Sequence, residues 1–527
     1  MTKSNISSLG ELLLDRMNPV LLREFRQLSR NRIVFSIIFL CLAAFMLTSG
    51  IYIMTAMDNL STGSASLQQG KNLFNSLATM LILATFTFVP LYTGIRFGIE
   101  RRKGKQDLMY TSSIPPWHIV FGKTMTAAQL TLLIFSLALP FLAFTYLLRG
   151  VDLANAALTI LALFIGAVLG AQAVLLFMAI PMNLVVRIII SVLLILPTFF
   201  SYYIAASIVL LWSGGAMLAF GSPFSTHGFI PILIFALIIV ISLSGTLFTM
   251  TTALIAPPSS NRAFAIRSYN SIAAIVIMAA TLICLHKGSS LDAIAITASF
   301  LLAGACLSLI ASSAETTTRS LRVQRTIPKN IFKRLLVFPL YQGRINGIVW
   351  SLGWMLVLSC IITAATVMDG EEPYEVASVL GSVILYTLGY TLVSIFIHRK
   401  LLIRKFKAGI TPVITGVFIL IMILAPFLFA FFSGSKSRID KAWSLFSPVD
   451  DDYMGHISEH LTGAVILVVI GLILNGVPMI KSILSFCPLQ KTAPGPAKVA
   501  EPEPETEPQN PLNCDDNPAV PKGPPAL

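Results

Sequence analysis

Twelve long apolar runs, none holding an Asp, Glu, Lys or Arg, set the terms for anything this chain can fold into. They lie at about 33–54, 73–95, 125–147, 156–180, 188–212, 229–254, 272–285, 293–313, 348–368, 376–398, 413–432 and 461–480. Each is long enough, or nearly so, to cross about 30 Å of hydrocarbon as a helix. The seventh, 272–285, is the shortest. The pattern predicts an all-α polytopic helical membrane protein with about 12 transmembrane helices. The first run is too long for a signal sequence core and reads as an uncleaved span. Composition agrees: 12% of residues are charged, against about 25% in an average soluble domain.

The formal charge of +13 would suggest nucleic acid in a soluble protein. Its distribution says otherwise. With the N-terminus inside, 31 of the 37 Lys and Arg fall in cytoplasmic segments. Only Lys71, Arg149, Lys287, Lys436, Arg438 and Lys441 fall outside, and the outer loop 369–375 is acidic. This is the positive-inside distribution, and it gives an orientation with both termini cytoplasmic. Membrane topology absorbs the charge, so no nucleic-acid partner is expected.

Uncharged spans bear on function. Ion-coupled transporters usually carry an intramembrane carboxylate or base, so work done by this chain would have to enter from elsewhere. Gly122-Lys123-Thr124 ends like a phosphate-binding loop, but that loop needs a glycine five residues before its Gly-Lys pair. Trp117 stands there, and the Gly-Lys pairs at Gly70 and Gly104 fail likewise. The six cysteines form no C-x-x-C pair. Pro90, Pro140, Pro197, Pro231 and Pro426 fall within spans and can kink them. Gly166 and Gly170 make a G-x-x-x-G suited to close helix approach.

Four segments outside the spans stand out. Residues 1–32 include Pro19-Val-Leu-Leu-Arg-Glu-Phe-Arg-Gln-Leu-Ser-Arg, with Asn18 as a plausible cap. Leu21, Phe25 and Leu28 share one helical face and Arg23, Arg26 and Arg30 another. That is an amphipathic helix suited to the inner leaflet. Segment 96–124 carries Glu100, Arg101, Arg102, Lys103, Gly104, Lys105, Asp107 and Leu108. A basic loop, 314–347, follows the eighth span, with Glu315 near its start as Glu100 is in the earlier one. From Pro488 the tail has eleven prolines and six acids in forty residues, a composition that predicts disorder.

The order Glu100, Gly104, Asp107-Leu108, Thr111-Ser112-Ser113, Trp117, Ile119 and Gly122-Lys123 resembles the coupling segment of type 2 ABC exporter permeases. Asn18-Pro-Val-Leu-Leu-Arg-Glu-Phe-Arg resembles the helix that precedes the first span in that family. Asn261-Arg262-Ala263 with Arg267, and Arg322–Pro328 leading to Phe338 and Gly343-Arg344, resemble its large twelve-span members. Ser113 stands in place of the family's turn proline, and Met109 in place of its second leucine.

The resemblance implies a permease subunit without catalytic residues or cofactors of its own. A separate cytoplasmic ABC ATPase subunit would bind ATP and Mg and dock on Glu100–Leu108. The lipid bilayer would be the other partner. Independently, spans seven to twelve repeat the layout of the first six, which predicts a first six-span half, 33–255, and a second, 256–487. Whether one chain forms a pathway, or a homodimer or second permease is needed, stays open at this level.

Two other classes compete: a membrane anchor or scaffold of an envelope complex, and a polytopic membrane transferase using outer-loop acids such as Asp58 or Asp450-Asp451-Asp452. No H-E-x-x-H exists. His456 and His460, four apart, are the nearest thing to a metal pair, though polar capping residues at a span mouth explain them more simply.

Overall fold

The computed structural model describes residues 19–61, 68–100, 115–147, 153–180, 229–257, 259–285, 291–316, 319–368, 370, 372–403, 408–433 and 457–488. No strand occurs among them. A short helix α1 (Pro19–Ser29) precedes α2 (Arg32–Ser61), α3 (Gln68–Glu100), α4 (Pro116–Leu147), α5 (Leu153–Ala179) and α6 (Phe229–Ile255). Then come α7 (Arg262–Leu285), α8 (Leu291–Ser312), two short helices α9 (Leu321–Arg325) and α10 (Ile331–Val337), and α11 (Arg344–Met368). The described part closes with α12 (Pro373–Ile397), α13 (Thr411–Ser433) and α14 (Ile457–Leu484). Ten of these helices are long and apolar enough to cross a membrane, and α13 adds a shorter apolar stretch, Thr411–Leu424. The protein is an all-α, multi-pass membrane protein. The run at 188–212, with Pro197, lies outside the described residues, as does the tail after 488.

The helices overrun the apolar runs at one end. At 1.5 Å per residue, α3 is about 50 Å long, well beyond the hydrocarbon thickness. Its last turns carry Arg96 and Glu100, and α4 begins seven residues before Lys123. The seventh span is corrected most. Instead of 272–285, α7 begins at Arg262 and runs for 24 residues. Its first turns looked like loop because they hold Arg262 and Arg267. Arg267 is in fact buried and paired, so the charge does not end the helix. Charges therefore sit within the long helices, in their end turns. Pro231 is corrected too: it is the third residue of α6, where a proline does not kink. Pro90 and Pro140 do lie inside α3 and α4, and Pro478 lies inside α14.

Phe97, Val120, Met178 and Ile255 pack in one cluster, so the finish of α3, the start of α4 and the finishes of α5 and α6 share one end of the bundle, here the basal end. A six-residue turn leads from α6 into α7, which starts at that end as well.

Glycines set how closely the helices approach. On α5, Gly166 faces α3, and a Cβ there would come within 2.8 Å of Phe86. The α3 residue Gly94 answers it: its Cβ would meet Val174 at 2.6 Å. The G-x-x-x-G expectation thus has a reciprocal pair, Gly94 and Gly98, that sequence reading did not single out. On α12 and α14 the same device recurs, with Gly389 under Leu467 and Gly471 under Leu392. Within the first set of helices α3 leans on α5; in the second, α8 packs on α11 and α12 on α14. Gly166→Leu is expected to cost roughly 1–3 kcal/mol by overpacking. Gly304→Leu on α8, where nothing lies within 4 Å, should be near neutral. Thermal unfolding in detergent compares the two.

Candidate functional site

Helix α1 is the first part of the site. Pro19 opens it, as suits a residue with no N–H to leave unpaired; Asn18 lies outside the described residues. Its apolar face turns to protein: Leu21 and Leu28 are buried, Phe25 half-buried, while Arg23, Arg26 and Arg30 are exposed. Gly122 of α4 lets it approach, since a Cβ there would meet Val20 at 3.0 Å. The bundle therefore fills the face that sequence reading aimed at the leaflet. In the turn after α1, the Asn31 side chain accepts from the Ile33 N–H at 3.0 Å, capping α2, and donates to the Tyr92 hydroxyl at 3.2 Å.

Under α1 sits a buried lysine. Lys123 Nζ lies 2.7 Å from Glu24 Oε1 and 2.7 Å from Glu100 Oε2. The Lys123 and Glu24 side chains are each 4% exposed and Glu100 24%. Arg23 reaches Glu100 from solvent at 3.6 Å, and Arg96 of α3 donates to Gln27 of α1. One cation thus joins three helices: α1 through Glu24, α3 through Glu100, α4 through Lys123 itself. A buried cation shared by two carboxylates is strongly held, because removing any member strands a desolvated charge. Of the predicted coupling residues, Glu100 is the one described. Arg101, Arg102, Lys103, Gly104, Lys105, Asp107 and Leu108 lie outside the described residues. They belong to the segment that leaves α3 directly after Glu100 and enters α4 seven residues before Lys123. Sequence reading quoted Glu24 and Lys123 only as letters in two motifs; their pairing spans 99 positions and leaves no local signal.

A second ion pair occupies the basal end beyond α6. Arg267 of α7 pairs with Glu315, just past α8. It also donates to the carbonyls of Pro339 at 2.9 Å and Tyr341 at 2.6 Å. Glu315 accepts the Gly343 N–H at 2.7 Å. Burial pushes the Glu315 carboxyl above the usual range, with Arg267 and the Gly343 N–H pulling the other way. Gly343 has φ +152°, and a Cβ there would meet Asn346 Oδ1 at 2.7 Å, so the turn requires glycine. Asn261 accepts the Gln342 N–H at 3.1 Å, and Asn346 donates to Phe338 O at 2.6 Å. The dispersed residues Asn261, Arg267, Phe338 and Gly343 thus meet in one place.

Elsewhere the described residues offer little chemistry. His456 lies outside the described residues. His460 is buried near the start of α14 against the Tyr386 hydroxyl, 3.4 Å from Nδ1, rather than exposed as a cap. Among the described residues no group of three His, Cys, Asp or Glu side chains could hold a metal. Asp58 falls within α2, and 450–452 lie outside the described residues. An apolar cleft of about 290 Å³ opens between α2 and α3, lined by Cys41, Phe45, Ala84 and Phe88.

Comparison with known proteins is negative throughout: no family model matches the chain, and no curated protein or solved structure is similar to it.

Proposed function

We propose that this chain is the transmembrane permease subunit of an ATP-driven ABC exporter, powered by a separate cytoplasmic ATPase that supplies the ATP and Mg site. The observation that supports it most is the Lys123 cluster. The segment 101–114 joins the ends of α3 and α4, and one buried ion-pair node locks those ends to each other and to α1. A push delivered to 101–108 would reach α3, α4 and α1 together rather than bending one loop. From α3 it would pass to α5 through the Gly94 and Gly166 contacts. Such a lever suits a bundle whose charged residues are confined to helix ends, and it suits a chain without a phosphate-binding loop. In this reading the basal end is cytosolic, in the plasma (inner) membrane, with both termini inside.

The test separates docking from folding. Reversing Arg101, Arg102 and Lys103 to Glu should abolish co-purification of the ATPase from membranes while leaving the thermal midpoint of the permease unchanged. Undiminished ATPase binding would mean that the docking assignment is wrong.

A further inference from the structure

Helix α10 turns its apolar side away from the protein. Ile331, Phe332, Leu335 and Leu336 are 72%, 75%, 72% and 72% exposed. At 3.6 residues per turn they fill a continuous arc of about 140°. Lys333 and Arg334 flank the arc on its two sides. Val337, pointing the other way, packs on a small core of Val323, Ile327, Tyr341 and Phe486. Seven residues are too few to hold a helix alone, and the protein holds this one at both ends. The Asn330 side chain accepts the Phe332 N–H at 3.0 Å. At the other end a single turn, Phe338–Leu340, leads toward α11, with Arg267 and Asn346 gripping its carbonyls.

This exposed arc is therefore rigidly presented where a membrane-crossing helix begins. Along its own loop the charge is of one sign. Arg319, Arg322, Arg325, Lys329, Lys333, Arg334 and Arg344 all fall in 314–347, where Glu315 is the single acid and is already paired. A short amphipathic helix with large apolar groups outward, cations at its flanks and a span beside it matches a surface that is both apolar and anionic. We propose that α10 seats Ile331, Phe332, Leu335 and Leu336 in the headgroup–acyl boundary of the basal leaflet, with Lys329, Lys333 and Arg334 on anionic lipid headgroups. It would pin the loop 314–347 to the membrane, a role that does not depend on the permease reading.

The experiment uses Phe332→Trp in the full chain, reconstituted in vesicles of phosphatidylcholine with or without phosphatidylglycerol. Emission of the parent, with its five tryptophans, is subtracted. In anionic vesicles the added emission should shift to the blue and lose about half its intensity to lipids brominated high on the acyl chain. Replacing Lys329, Lys333 and Arg334 by Gln should reduce that quenching toward the level in pure phosphatidylcholine. Water-like, unquenched emission in both vesicle types would overturn the proposal. So would burial of the tryptophan only after a cytoplasmic protein partner is added, which would make the arc a protein-docking face.

Discussion

Lys123→Met is expected to destabilise the protein by roughly 3–5 kcal/mol, the usual cost of stranding a buried charge. The substitution preserves bulk but removes the cation that Glu24 and Glu100 share at 2.7 Å each. Glu24, 4% exposed, then has no ion-pair partner among the described residues, and α1 loses its grip on α4. Arg23→Met should cost no more than about 1 kcal/mol, because its 3.6 Å contact with Glu100 is open to solvent. Fluorescence-detected size exclusion after heating would rank the two. Combining Glu24→Gln with Lys123→Met should restore part of the loss, since no unpaired charge then faces that side of the node; additive losses would mean that the pair is not coupled.

Arg267→Met should be similarly severe, again roughly 3–5 kcal/mol. It strands Glu315 and frees the carbonyls of Pro339 and Tyr341. The consequence should be local as well as global. Loop 319–343 is held to α7 by these bonds and by the Asn261–Gln342 contact. Trypsin should therefore cut faster at Arg322, Arg325 or Lys329 in this variant than in the parent. Adding Glu315→Gln should recover about 0.5–3 kcal/mol, the range of coupling between contacting residues. An unchanged cleavage rate would show that the loop is held by other contacts.

Much of the fold could be read from the sequence, because hydrocarbon imposes a simple rule on every span. Runs such as 73–95 and 348–368 had to be helices, and α3 and α11 contain them. The errors lie where that rule stops. Arg262 and Arg267 looked like loop residues, yet a helix end can carry cations that find acceptors there: Glu315 meets Arg267, and the Ala256 carbonyl accepts from Arg262. The arginine face of α1 was legible from its periodicity; that its opposite face meets Gly122 on α4 was not, because nothing local encodes which surface covers an apolar stripe. Gly166 was visible as a motif, but Gly94 gained meaning only from Val174 opposite. The similar placement of Glu100 and Glu315, at the end of α3 and just past α8, was visible beforehand. That each would meet a basic residue from the neighbouring helix was not.

The most direct measurement is cross-linking mass spectrometry on the protein purified from its own membrane together with whatever accompanies it. An amine-reactive reagent would read Lys103 and Lys105, which follow Glu100 by three and five residues in the sequence. Cross-links from these lysines to a chain carrying a phosphate-binding loop, present in stoichiometric amount, are the expected result. Cross-links only to a chain without such a loop, or an ATPase cross-linked instead to the end of the bundle opposite Lys123, would contradict it.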